Sequence, residues 1–600
     1  MQTNQPNSAK QLNSTQQLIT QHLGIWTSAE TEKKSGRGRA GGIAGSVYGI
    51  KKLRELILEL AVRGKLVPQN ANDEPASELL KRIQAEKTKL IAEGKLKKEK
   101  PLAPIGDDEK SFELPKRWSW VRVANLAEIK GGKRLPEGKT FSPAKTPHIY
   151  IQVTNMKNGT VIEESLKYID GDTRELLKNY TISSQDLYIT IAGTIGDVGT
   201  VPTNFNNMIL TENAAKIIFK ELDKIWFKYC FASNFLREQF QEKTIQSAQP
   251  KLALHRVASS VIALPPLAEQ HRIVAKVDAL MALCDQLENQ HLNAAEAHET
   301  LVSELLATLT QSQDAADFNA NWQRIYVYFD VLFTTQASIA VLKQTVLQLA
   351  VMGKLVPQDQ NDEPASELLK RIQAEKTKLI AQDKLKKEKL LAPIAEDEKP
   401  FEVPQGWEWT RLLTAAIINP RNSANDELEA SFVPMTLIGT QFNESHNHEI
   451  RIWKDIKQGF THFQEGDIGV AKITPCFENS KACVFNGLKN KIGAGTTELH
   501  IVRPLVETLN PRYVLAYLKS PRFLYIGESK MTGTAGQKRL PKEIVESNPF
   551  PLPPVTEQNR IVAKVDALMA LCDQLKTRIQ QANQQQQTIA NALVAQAVAA

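Results

Sequence analysis

One feature constrains this chain more than any other: long stretches of it are written twice. Leu264 to Leu287 reads "LPPLAEQHRIVAKVDALMALCDQL", and Leu552 to Leu575 reads "LPPVTEQNRIVAKVDALMALCDQL", with three differences in 24 positions. A second block, Leu60 to Ile105, returns as Leu349 to Ile394 with 40 of 46 residues identical. The offsets are 288 and 289, so the chain is two half-copies of roughly 290 residues. A period this long is a duplication and not a solenoid repeat. Six hundred residues also exceed what one core holds, so several domains are expected.

The repeated blocks read as helices. After Glu269, apolar or small residues fall at Ile273, Val277, Leu280, Cys284, Leu287, Ala294, Leu301 and Leu305, with His291 and His298 in the gaps and Thr308 at the end. This spacing is a heptad seam of more than four heptads. From Ile273 to Thr308 it predicts a helix of about 54 Å. The later copy keeps the seam through Ile561, Val565, Leu568, Cys572, Leu575, Ile579 and Ala582, then Ile589 and Leu593. Pro265–Pro266 and Pro553–Pro554 bar either helix from starting earlier. A partner helix precedes each "GKLVPQ" box: "YGIKKLRELILELAV" and "ASIAVLKQTVLQLAV".

Between the repeats lie two inserts, 106–263 and 395–551. Their entrances match at Phe112/Phe401, Pro115/Pro404, Trp118/Trp407 and Trp120/Trp409, while their interiors differ. Both interiors alternate β-branched residues with Gly/Asn turns, the pattern of short strands and loops. The expected fold class is α+β. Two mixed α/β domains of one fold stand on a pseudo-twofold scaffold of long antiparallel coiled-coil helices. The scaffold comprises 46–105, 264–394 and 552–600. Because the order of parts is a circle cut open, helices near 46–63 and 555–597 are expected to pair. Residues 1–45 are polar and expected to be partly flexible, with a short helix in "TQQLITQHLGIW".

A search for catalytic chemistry fails. "GGKRLPEGKT" has five residues between Gly132 and Gly138 where a phosphate loop needs four. "GTIGDVG" lacks a following helix with an acidic ribose ligand. "SNPFPLPP" has Phe550 where an amino-methyltransferase motif needs proline. "HNHE" at His446 to Glu449 reads as a solvated loop. Five scattered cysteines with no C-x-x-C pair fit neither a disulfide framework nor a zinc ribbon, and suit a reducing cytoplasm. No run of 18 apolar residues predicts a membrane span, and the first residues lack a secretory apolar region. The basic run Lys87 to Lys100 reads as a solvated helix face.

Net charge is +7, split as +3 on the first insert (21 basic, 18 acidic) and −1 on the second (18 basic, 19 acidic). Bulk charge therefore does not establish nucleic-acid binding. Local clusters of basic and amide residues are the candidates, because Arg and Lys suit guanine edges, Asn and Gln suit adenine edges, and all hold phosphates. In the first insert these are Lys130, Lys133, Arg134, Thr154, Asn155, Lys157, Asn158, Gln249 and Lys251. In the second they are Arg421, Asn422, Lys472, Thr474, Asn479, Lys481, Gln537, Lys538 and Arg539. Glu269, Gln270 and Arg272, with Glu557, Gln558 and Arg560, recur in both long helices and are candidates for docking a partner.

Taken together, the entrances "ELPKRWSW"/"EVPQGWEW", the exits "LPPLAEQHRIV"/"LPPVTEQNRIV", "GDIGVAKITPCFENSK" and the repeated "GKLVPQ…NDEPASELL" resemble the specificity subunit of type I restriction–modification enzymes over nearly the whole chain. The resemblance implies a non-catalytic reader of double-stranded DNA. Each insert would be a target-recognition domain reading one half of a bipartite gapped site, and the helices would set the gap. Two modification subunits carrying S-adenosylmethionine would dock on the helices. Restriction subunits with an ATP- and Mg2+-dependent motor would join them, and this chain would bind no cofactor itself. The competing readings are a fused methyltransferase or nuclease, which the missing motifs disfavour, and a coiled-coil scaffold without DNA, for which the inserts are too large.

Overall fold

The computed structural model describes residues 19–28, 47–94, 102–242, 251–387, 391–505, 507–534 and 536–599. They fall into two compact units: 1–293 with 582–600, and 294–581.

In the first unit, helices α1 (Tyr48–Val62) and α2 (Ala76–Ala92) are joined by the "GKLVPQ…NDEP" loop. The insert follows. A strand Ser119–Arg122 enters it and pairs antiparallel with Val261–Leu264, which leaves it. Between them lie two four-stranded sheets. One has the order Ala127–Gly131, Ala214–Phe219, Leu187–Thr190, Val198–Thr200. The other has the order Lys167–Tyr168, Ile149–Ile151, Met208–Leu210, Thr181–Ile182. Helices α3 (Lys224–Ala232) and α4 (Asn234–Glu242) then pack the insert against α1. The long helix α5 (Leu267–Gln311) starts directly after Pro266, as the proline pair requires.

The second unit repeats this plan. Its scaffold helices are α6 (Gln336–Val351) and α7 (Ala365–Ala381). Its entrance and exit strands are Glu408–Arg411 and Pro549–Leu552. The "SNPFPLPP" stretch is thus a sheet element. Its two sheets have the same strand order as those of the first unit: Ala416–Ile418, Leu499–Pro504, Ile468–Ala471, Ala482–Val484, and Glu449–Ile452, Glu429–Val433, Ile492–Gly495, Thr461–Gln464. Helices α8 (Pro511–Leu518), α9 (Pro521–Lys530) and the long α10 (Val555–Ala599) follow. Unlike interiors therefore adopt one topology.

The expected pairing of helices near the two ends is present in the first unit. Ala590 and Leu593 of α10 join the same core as Ile50, Leu53 and Ile57 of α1. Tyr48 Oη donates to Asn591 Oδ1 at 2.8 Å, and Lys65 Nζ to the Val598 carbonyl at 3.3 Å. Of residues 1–45, only 19–28 are described. They include a helix Leu23–Ser28 whose Trp26 is fully buried against α1; the flexibility expected for the rest lies outside the described residues.

The heptad seam needs correction. Ile273, Val277 and Cys284 are buried as expected, but Leu301 is 51% exposed, and Val302, Leu306 and Leu309 are buried instead. The later copy makes the same step, with Ile589 45% exposed and Ala590 buried. The reason is that a straight α-helix turns about 100° per residue. A position 28 residues on lies about 80° off the starting face, whereas 29 residues on it lies about 20° off. The helices keep 3.6 residues per turn, and the buried stripe advances by one residue. Val302→Asp should therefore destabilise the second unit by about 3 kcal/mol or more, while Leu301→Asp should leave its urea midpoint nearly unchanged. Equal effects would restore the strict heptad.

Candidate nucleic-acid interface

The repeated Glu-Gln-x-Arg residues sit at the first turn of each long helix and point inward. Glu269 is 1% exposed and accepts from Trp118 Nε1 at 3.0 Å and Gln69 Nε2 at 2.6 Å. Gln270, fully buried, accepts from the Asp223 amide at 2.9 Å and donates to the Pro265 carbonyl at 3.1 Å. Arg272 holds Asp73 of the "NDEP" loop at 2.5 Å. The second copy repeats each contact. Glu557 accepts from Trp407 and Gln358, Gln558 links the Asn510 amide to the Pro553 carbonyl, and Arg560 pairs with Asp362 at 2.6 Å. Glu269, Gln270, Glu557 and Gln558, expected to dock a partner, therefore present no side-chain surface for one in this chain. They are buried, and Arg272 and Arg560 are engaged within their own units. Their near-identity in both copies follows from this internal latch, which joins scaffold loop, insert entrance and long helix. Gly64 and Gly353, both at φ +70°, complete it: a Cβ there would lie 2.5 and 2.4 Å from Pro115 and Pro404.

Other sequence candidates are redistributed. In the first insert, the segment Leu210–Ala214 ties three separate stretches together. Lys133 donates its amide to the Leu210 carbonyl, Gly132 to Ala214, and Ile191 to Asn213, while Leu252 donates to Ile191. This gathers Lys133, Arg134 and Lys251 around Glu212. Arg134 lies 3.7 Å from the Glu212 carboxylate, and Lys251 Nζ donates to its backbone carbonyl at 2.9 Å. Tyr150 Oη bridges Glu212 and the Lys133 carbonyl. Burial works to raise the Glu212 carboxyl, but hydrogen bonds from its own backbone, Tyr150 and Thr211, with the charge of Arg134, hold it below the usual value. Lys130 pairs with Glu128 on the strand leading in.

The second insert builds the same edge. Lys472 donates its amide to Glu498, Thr474 donates to Lys538, and Leu540 donates to Lys472. Lys538 and Arg539 are exposed, and Arg539 clasps Glu498. Its hydrogen bonds and charge hold the Glu498 carboxyl low. Gln537 is exposed beside them, and Arg421 donates to the Phe460 carbonyl at 3.0 Å.

Several candidates are buried or bonded within their own domain. Asn155 is fully buried, with its amide bonded to the Glu164 carbonyl and the Gln152 amide. Asn422 donates its side-chain amide to the Phe463 carbonyl and accepts from Arg503, so both of its polar atoms are engaged inside the domain. Arg503 is itself fixed on Asp467, whose carboxyl burial pushes up against the pull of Arg503. Thr474 is 8% exposed and accepts from the Lys538 amide. Lys481 donates to the Met435 carbonyl. Asn479 lines a hollow with Lys343, Gln344 and Met569 of the scaffold. Thr154, Lys157 and Asn158 stay exposed on a turn and hairpin, with Lys157 paired to Glu164. Gln249 lies outside the described residues.

Two further expectations change. His446 is 7% exposed and not in a solvated loop; its Nε2 accepts from the Asn486 amide. Lys87 of the basic run donates to the Ala124 carbonyl. Sequence reading missed Glu212 and Glu498, whose only signal is an acid in the short links "TEN" and "TTEL" between strands. Among the described residues, no cluster of His, Cys, Asp or Glu could hold a metal, and no helix is long and apolar enough to cross a membrane.

Two domains of one topology, each presenting basic residues at one edge and each latched to a long helix, define a duplicated binding protein. A family model described as type I restriction modification DNA specificity domain matches residues 115–297. The chain is 38% identical over 599 residues to the type I restriction enzyme EcoEI specificity subunit of Escherichia coli, across 96% of this chain and 98% of that one. It is 38% identical over 614 residues to the EcoAI specificity subunit of the same organism, across 98% and 100%. A crystal structure of the HsdS subunit from Thermoanaerobacter tengcongensis aligns at 18% identity with a TM-score of 0.38, across 82% of this chain and 98% of that one. The chain belongs to the family of type I restriction enzyme specificity subunits.

The latch has a pH signature. Burial raises the carboxyls of Glu269 and Glu557 above the usual carboxylate value, against hydrogen bonds from Trp118 with Gln69 and from Trp407 with Gln358. The folded state then binds more protons than the unfolded one between the ordinary and the raised value, so this contribution to stability falls as pH rises through that window. The paired substitutions Glu269→Gln and Glu557→Gln keep an acceptor for each Trp. They should abolish that fall when unfolding is followed upward from pH 4. Trp118→Phe should cost about 1.5–3 kcal/mol.

Proposed function

We propose that this chain is the non-catalytic, DNA-reading subunit of a type I restriction–modification complex. Domains 106–263 and 395–551 each read one half of a bipartite gapped site in double-stranded DNA. The helical regions 46–105, 264–394 and 552–600 set the spacing. The observation that carries this reading is convergence. In each domain, stretches far apart in sequence bring basic residues to the same edge of the same sheet topology: Lys133, Arg134 and Lys251 in one, Lys472, Lys538 and Arg539 in the other.

Two modification subunits bring S-adenosylmethionine, and restriction subunits bring the ATP- and Mg2+-dependent motor. The complex works in the cytoplasm. Docking moves from the buried latch to the outer face of the same helices. Leu283 and Leu571 occupy equivalent positions and are 46% and 55% exposed, which supports a shared apolar contact. Lys276 and Lys564, also equivalent and exposed, flank them one heptad earlier.

Replacing 395–551 by the second domain of another family member should change one half of the methylated motif and keep the other. A change in both halves, or in neither, would sink the two-reader model. Leu283→Arg combined with Leu571→Arg should reduce co-purification of the modification subunit; full retention would remove these leucines from the docking face.

A further inference from the structure

We infer that Arg539 reads one guanine edge in the half-site of the second domain, with Glu498 as the residue that positions its guanidinium. This rests on the DNA-reading function proposed above. Arg539 commits only part of its guanidinium to Glu498. Nε donates to both Glu498 oxygens, at 3.2 and 3.0 Å, and Nη2 donates to Oε1 at 2.8 Å. This is the side-on fork. It leaves the end-on edge, one N–H from Nη1 and one from Nη2, and no hydrogen bond from Nη1 is formed among the described residues. That edge carries two parallel donors, the pattern that matches guanine O6 and N7 in the major groove.

Charge separates a base contact from a phosphate contact. The Arg539–Glu498 pair is neutral as a unit, so its pull on a phosphate is largely cancelled while the direction of its free donors is kept. Lys538, next in the chain, is exposed and has no carboxylate within salt-bridge distance among the described residues. It is the phosphate contact of the two. The backbone beneath them is fixed. The Lys538 amide donates to Thr474 Oγ1 and its carbonyl accepts from the Thr474 amide, Arg539 exchanges both backbone bonds with Thr532, and Leu540 donates to Lys472. A reader held this way loses little side-chain freedom on binding. Among the described residues, the first domain forms no equivalent fork: Arg134 approaches Glu212 through one contact, at 3.7 Å. Lys251 stands at the matching bridge, Ala192 to Lys251 beside Ile473 to Arg539, and a lysine is a point donor. Guanine reading by this device is therefore confined to one half-site.

The test uses the full-length chain assembled with its modification subunits, selecting from duplexes randomised across the bound site. Arg539→Lys keeps the charge and removes the fork. It should lower discrimination at one G·C pair, in the half read by the second domain, by roughly 5- to 150-fold, which is the contribution of one bidentate pair. Glu498→Gln should weaken the same position without changing which base is preferred. Lys538→Ala should lower affinity for all sequences alike and reduce the salt slope by about one. A uniform loss or no loss from Arg539→Lys would overturn the inference, as would a change in the other half-site, while the two-domain function stands. Selection of no bipartite site by the parent chain would overturn the function itself. Unchanged thermal midpoints for all three variants exclude a folding defect as the cause.

Discussion

Each unit depends on one buried carboxylate at the first turn of a long helix. Glu269 and Glu557 have almost no contact with water, and each is held by an indole and an amide from different parts of its unit. A charge in that position is tolerated only if its lone pairs are used. The need for those partners fixes several sequence choices together: tryptophan at the insert entrance, glutamine in the "LVPQ" loop, and glycine where that loop passes under proline. Arg272 with Asp73, and Arg560 with Asp362, close the other side. The latch sets the angle at which an insert leaves its helix. The insert itself joins the latch through backbone amides, Asp223 to Gln270 and Asn510 to Gln558, so side chains there can vary without removing these bonds.

With the junction fixed, the inserts are free to diverge while keeping their strand order. The basic edge arises where the strand after the entrance, the loop after Leu187–Thr190 or Ile468–Ala471, and the returning chain near 251 or 539 meet. The two domains place an acid among these bases in slightly different registers. Glu212 lies one residue before Asn213, whose carbonyl accepts from Ile191, whereas Glu498 itself accepts from Lys472. The same sheet therefore offers different donor patterns. One is built on lysine and a tyrosine-bridged glutamate, the other on a clasped arginine.

The duplication, the long helices, the two inserts and their strand character were legible because they rest on identity, proline stops and periodicity. The helices α3, α4, α8 and α9 inside the inserts were not drawn out, being 8 to 10 residues long and too short for a decisive period. Caps for three of them were present all the same: Asp223, Asn510 and Ser520 accept from backbone amides of the first turn of α3, α8 and α9, the latter two just before proline. The misplaced half of the seam came from applying a 3.5 repeat where the helix turns at 3.6. Of the candidate contacts, most lysines and arginines are exposed, while Asn155 and Thr474 are buried and Asn422 is bonded to Phe463 and Arg503 within its domain. Short polar side chains serve turns and loop closure as readily as they serve a ligand, and composition alone does not separate the two. The repeated Glu-Gln-x-Arg was visible as a constraint, but not that its Glu and Gln face inward, since repetition does not say which way a residue points.

The core of the first unit includes Ala590 and Leu593, about three hundred residues beyond its other members, whereas the second unit is one continuous stretch, 294–581. Two assemblies with the same parts therefore differ in the order in which a ribosome can finish them. At 5–20 residues per second, the first waits roughly 15 to 60 s for its last helix turns while the second is being made. During that interval the apolar face of α1 that receives Ala590 and Leu593 is uncovered. The earlier-made unit is the later to close, which makes it the one more exposed to premature pairing with a neighbouring nascent chain.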